Sequence, residues 1–117
     1  MRGKARETLK AFLVSFSAGR YAEAERALEA LAKHLKRRGE WGRGYLQALK
    51  GMLEARRTGD KYAFLLNVEE EPKSLRALRR EFSGHLKAKG HTDYDKGFFS
   101  AWRDLVSLAL ELKRQAQ

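Results

Sequence analysis

The sequence predicts an all-α protein: a compact bundle of five or six helices, with antiparallel helical hairpins, in a single domain over residues 1–117. Three observations carry this. Apolar residues recur at the 3.6-residue spacing along nearly the whole chain, and no stretch shows the strict alternation of a half-buried strand. The breaks between periodic segments are short and marked by glycine or proline, as a bundle with tight connections requires. The 117 residues are 43% apolar, enough for one core and too few for two domains of ordinary size.

The first helix, at about 3–18, places Ala5, Leu9, Phe12, Leu13 and Phe16 on one face. Gly19 then stands where a left-handed residue ends a helix. The second, at about 21–38, has Ala24, Ala27, Leu28, Leu31 and Leu35 as its stripe and Gly39 as its stop. Its acids Glu23, Glu25 and Glu29 come early and its bases Lys33, Lys36, Arg37 and Arg38 late, matching the helix dipole. The third, at about 41–57, uses Trp41, Tyr45, Ala48, Leu49, Met52 and Leu53. Its glycines at 42, 44 and 51 each cost about 1 kcal/mol relative to alanine, so they signal close approach of a neighbouring helix or a loose first turn.

Asp60 is a cap for a short helix through Tyr62, Leu65, Leu66 and Val68. Glu69-Glu70-Glu71-Pro72 is the clearest break, with proline suited to the first turn of the next helix. That helix, at about 72–88, buries Leu75, Leu78, Phe82 and Leu86. After Gly90, Thr92 and Asp95 form a capping box with Asp in place of the usual Glu. They open the longest helix, at about 93–114, whose broad face carries Tyr94, Phe98, Ala101, Trp102, Leu105, Leu108, Ala109 and Leu112. It is expected at the centre, with the first three helices packed around it.

Gly19-x-Tyr21-x-x-Ala24 followed by Leu28 resembles the turn and second helix of a tetratricopeptide-type repeat, and Gly59-Asp-Lys-Tyr62-Ala-Phe64 echoes it about forty residues later. The resemblance covers residues 5–66. It implies antiparallel helix pairs and a protein-docking role.

Composition excludes several functions. With no cysteine there is no disulfide, thiolate metal site or cysteine nucleophile. No apolar run reaches the roughly 18 residues a membrane span needs, and no cleavable signal pattern follows Met1. A cytoplasmic location is expected. One Asn and three Gln among many charges fit a thermophile. His34, His85 and His91 have no paired ligand spacing, and no serine elbow or phosphate-loop lysine occurs. His91, Asp93 and Asp95 could in principle meet a metal, but capping accounts for Thr92 and Asp95. No cofactor, no metal and no enzyme activity are therefore expected, unless folding gathers Asp104, Glu111 and a histidine into a cleft.

Charge points to a partner class. The protein carries a net charge of +10. Residues 72–90 hold Lys73, Arg76, Arg79, Arg80, Lys87 and Lys89 against the one acid Glu81, half of that excess. On a helical wheel Lys73, Arg76, Arg80 and Lys87 line the side opposite the apolar arc, with Arg79 at the border. Like charges at i,i+4 repel, so such a stripe is poor as a purely stabilising surface but suits successive phosphates. A solvated basic face is the competing reading. Lys36, Arg37, Arg38 and Arg43 form a second cluster, which the helix dipole also explains. Arg2, Lys4 and Arg6 read as a basic terminal arm. No base-reading motif is present, and Phe99 is the best candidate for an exposed ring. The expected function is RNA-binding: sequence-nonspecific docking on RNA, a ribonucleoprotein or duplex DNA. The alternative is a protein-interaction adaptor or homodimer, which an exposed apolar patch around Trp41, Tyr45 and Phe99 would favour.

Overall fold

In the computed structural model, which describes residues 3–58, 72–88 and 90–116, all regular structure is helical. Helix α1 spans Gly3–Ser17, α2 Tyr21–Leu35, α3 Gly39–Thr58, α4 Pro72–Lys87 and α5 Asp93–Ala116, with one 3₁₀ turn at Lys36–Arg38. No strand occurs among the described residues. The short helix expected at 60–68 and the second tetratricopeptide-like turn lie outside them.

Helix α1 buries Leu9, Phe12, Leu13 and Phe16 and ends in a Schellman motif. Gly19 adopts φ +73°, its N–H donates to the Phe16 carbonyl at 3.2 Å, and the Arg20 N–H donates to the Ser15 carbonyl at 2.9 Å. This turn sends α2 back along α1 as an antiparallel hairpin. Helix α2 stops at Leu35, not at 38 as the periodicity suggests. Leu35 is its last buried side chain, and the three exposed bases after it wind into a 3₁₀ turn that no packing holds α-helical. Gly39, at φ +57°, then starts α3 two residues earlier than expected.

Helix α5 is the centre of the molecule and packs against α3, α4 and α1. The α3–α5 crossing is set by glycine on both sides. A Cβ at Gly44 would collide with the Tyr94 carbonyl, and one at Gly97 with the Trp41 carbonyl. Gly42 meets the Leu35 carbonyl in the same way, closing the α2–α3 corner. Gly51 is different: nothing lies within 4 Å, so no close approach explains it. The Thr92–Asp95 capping box forms as expected. Thr92 Oγ1 accepts from the Asp95 N–H at 3.2 Å, and the Thr92 N–H donates to the Asp95 carboxylate at 3.4 Å.

The core joins all five helices: Phe12 and Phe16 of α1, Leu28 and Leu31 of α2, Tyr45 and Leu49 of α3, Leu75 of α4, and Leu105, Val106 and Leu108 of α5. Tyr45 is fully buried, and its hydroxyl donates to the Asp104 carboxylate at 2.8 Å. The Cα radius of gyration is 13.5 Å, close to the ~13 Å expected of a compact chain this long.

Candidate nucleic-acid interface

Helix α4 rests on α5 through an aromatic seam. Phe82 stacks on Trp102 with centroids 5.4 Å apart, and His85 lies parallel to Phe99 at 4.6 Å. His91 meets Phe99 edge-on at 5.3 Å, and Leu75 is fully buried at the other end of the helix. These contacts point the apolar arc inward. Lys73, Arg76, Arg79, Arg80 and Lys87 are accordingly all exposed. From Lys73 to Lys87 the stripe runs about 21 Å along the axis.

Among the described residues none of these five bases meets a carboxylate. Elsewhere Arg6 pairs with Glu111 at 2.6 Å, Arg43 with Glu40 at 2.8 Å, and Arg57 with Glu25 and Glu54. Arg20 pairs with Glu23, and Arg103 with Asp104. Five arginines outside α4 thus have acids beside them; among the described residues the five α4 bases have none, nor do Arg26, Lys33, Lys36, Arg37 and Lys50.

The second cluster is less uniform. Lys36 and Arg37 are exposed, Arg38 lies over the Trp41 ring with its guanidinium carbon 3.9 Å from the centroid, and Arg43 is engaged by Glu40. Because Trp41 abuts Gly97 and His85 neighbours His91, the 3₁₀ turn and the Lys87 end of α4 both lie where α5 begins. Tyr94, Gly97 and Asp104 face α3, whereas Phe99 and Trp102 face α4, so the clusters approach that end from different sides of α5. The basic terminal arm is corrected for two of its three bases, Arg2 lying outside the described residues. Lys4 and Arg6 belong to α1, and Arg6 is tied to α5.

No family model, curated protein or solved structure matches this chain.

One expectation, and the feature that would favour the alternative reading, fail on burial. Phe99 is no exposed ring, because it is packed among Phe82, His85, His91 and Phe98. The apolar patch around Trp41, Tyr45 and Phe99 is absent: Tyr45 is internal and Trp41 is capped by Arg38. The exposed large hydrophobic residue among those described is Val14, 42% exposed on α1.

Acidic residues and histidines are dispersed. Asp104 is engaged by Tyr45 and Arg103, while Glu111 is held by Arg6. His91 Nδ1 stands 3.7 Å from Asp95, with no third ligand; no cluster of three or more metal-ligating side chains occurs among the described residues. Burial first, and the Asp104 carboxylate second, push the Tyr45 phenol far above its usual pKa, so it is a fixed donor.

Sequence reasoning missed Gly97 and the histidine–aromatic seam. Gly97 was visible as a glycine inside an otherwise strong helix, the signal that did pick out Gly44. Pairing of His85 with Phe99 was not visible, since it depends on the α4–α5 register.

Proposed function

We propose that the protein is a non-catalytic binding module of the cytoplasm that docks on RNA or a ribonucleoprotein without reading sequence. The α4 stripe of Lys73, Arg76, Arg80 and Lys87, with Arg79 beside it, is the contact surface, and Lys36, Arg37 and Arg38 assist at the end where α5 begins. One observation carries the reading: five exposed bases lie on the single helix α4 with no carboxylate partner among the described residues. Bases kept clear of acids remain available to phosphates, and each phosphate neutralised releases counterions. Arginine's planar fork adds bidentate contacts. Among the described residues the rings of α4 and α5 pack against each other and leave no row of stacking platforms for a single strand, which favours structured RNA or duplex backbone.

The test is a titration of labelled structured RNA and duplex DNA across a salt series, with an Arg76→Glu/Arg80→Glu/Lys87→Glu variant in parallel. Binding that falls steeply with log salt and disappears in a variant of unchanged helicity supports the stripe. Absence of binding to either nucleic acid at moderate salt overturns it.

A further inference from the structure

Among the described residues three arginines lie over aromatic rings, and two of these are tied to acceptors of the protein. Arg56, 5.4 Å from the Phe16 centroid, donates to the Ser17 carbonyl. Arg57, 5.9 Å from the Tyr21 centroid, is held by Glu25 and Glu54. Arg38 is different. Its guanidinium carbon sits 3.9 Å from the Trp41 centroid, the shortest of the three contacts. At that separation the guanidinium lies flat, because an N–H pointed end-on at the ring would hold the carbon farther away. Arg38 is exposed, and among the described residues none of its N–H groups meets an acceptor. The neighbouring acid Glu40 is taken by Arg43.

The ring beneath Arg38 is held in place. Trp41 packs on Tyr45 with centroids 5.0 Å apart, and Tyr45 is fully buried. The Trp41 carbonyl abuts Gly97, so the α3–α5 crossing fixes its backbone too. The 3₁₀ turn that follows α2 carries Arg38 over this ring and leaves Lys36 and Arg37 exposed beside it.

An indole covered by a flat guanidinium presents a planar cation to solvent. Such a plane stacks on the face of a nucleobase, while its edge donates to phosphate or base acceptors. Bases inside a perfect duplex are covered by their neighbours, whereas a bulge or loop offers a free face. With Lys36 and Arg37 alongside, the position suits a ring that brings negative charge with it, as a nucleotide does and an aromatic side chain does not. We propose that Arg38 on Trp41 is a stacking platform for one unpaired nucleobase of a structured RNA, with Lys36 and Arg37 meeting the phosphates that flank it. The proposal rests on the RNA reading above and names the feature recognised: a helical RNA that carries an unpaired nucleotide.

The experiment uses three RNA duplexes that share one paired stem. The first is fully paired, the second has a single bulged adenosine, and the third has an abasic ribose at the bulge. Fluorescence anisotropy gives the affinity for each across a salt series. The native protein should bind the adenosine bulge about tenfold more tightly than the paired duplex, in the lower part of the range for stacking one base. The abasic bulge should bind no better than the paired duplex. Arg38→Lys keeps the charge and loses the plane, so it should abolish the preference and leave the salt slope unchanged. Equal affinity of the native protein for the paired and bulged duplexes overturns the platform. So does a preference that survives the abasic ribose, or one that survives Arg38→Lys. In those outcomes salt-dependent RNA binding persists, and the reading through α4 stands. Binding of none of the three RNAs overturns both.

Discussion

Gly44 and Gly97 hold the α3–α5 crossing together because each faces a backbone carbonyl, which cannot move aside as a side-chain tip can. Gly44→Ala and Gly97→Ala should each destabilise the protein by about 3 kcal/mol, the upper part of the range for overpacking. Gly51, helical and with open space around its Cα, should respond oppositely: Gly51→Ala should stabilise by up to about 1 kcal/mol. Urea denaturation of the three variants tests the contrast, and a stable Gly44→Ala would mean that the helices cross elsewhere. Tyr45 makes a second prediction. The folded protein holds its phenol protonated well above the unfolded pKa of about 10, so that stabilisation is complete below pH 10 and is lost as pH rises beyond it. The unfolded chain sheds this proton first, so stability should fall by about 1.4 kcal/mol per pH unit above pH 10 from this group. Comparing the alkaline stability profile with that of Tyr45→Phe isolates the effect, and identical slopes would contradict it.

At the scale of elements, the apolar stripes identify which face each helix buries. Leu9, Phe12, Leu13 and Phe16 of α1 were legible in this way, as were Leu28, Leu31 and Leu35 of α2, because burial of a stripe needs only a partner and not a particular one. Helix ends were legible where a local motif sets them, as at Gly19 and at the Thr92–Asp95 box. They were misread where packing decides, as at the 3₁₀ turn after Leu35. Helix α4 differs from the others in docking chiefly on α5, through one buried leucine and the Phe82–Trp102 and His85–Phe99 stacks. A helix held along one seam opens before one enclosed by several neighbours. Amides of α4 should therefore exchange with solvent faster than those of α3 and α5, and Phe82→Ala should widen the gap. Equal protection across the three helices would argue that α4 is bound into the same cooperative unit.

For the whole molecule the prediction concerns salt. If the four stripe bases each neutralise one phosphate, log affinity should fall against log salt with a slope of about −3 to −4. Arg76→Gln or Arg80→Gln should each make that slope shallower by about 1 without altering preference among sequences. A slope unchanged by either substitution would move the contact surface away from α4. No helix among those described is long and apolar enough to cross a membrane.

The sequence by itself determined that this chain is helical, which side of each helix turns inward, that charge concentrates on α4, and where two of the caps lie. Those properties depend on spacing within one element, which a linear pattern records in full. Only the tertiary structure decided that Phe99 is enclosed by two histidines, that Arg43 is engaged while the α4 bases meet no acid among the described residues, and that Leu28, Leu35 and Leu53 line open cavities between α2 and α3. Each of these depends on the register and crossing of helices far apart in sequence, and at the α3–α5 crossing that register is set by where two glycines allow backbones to touch.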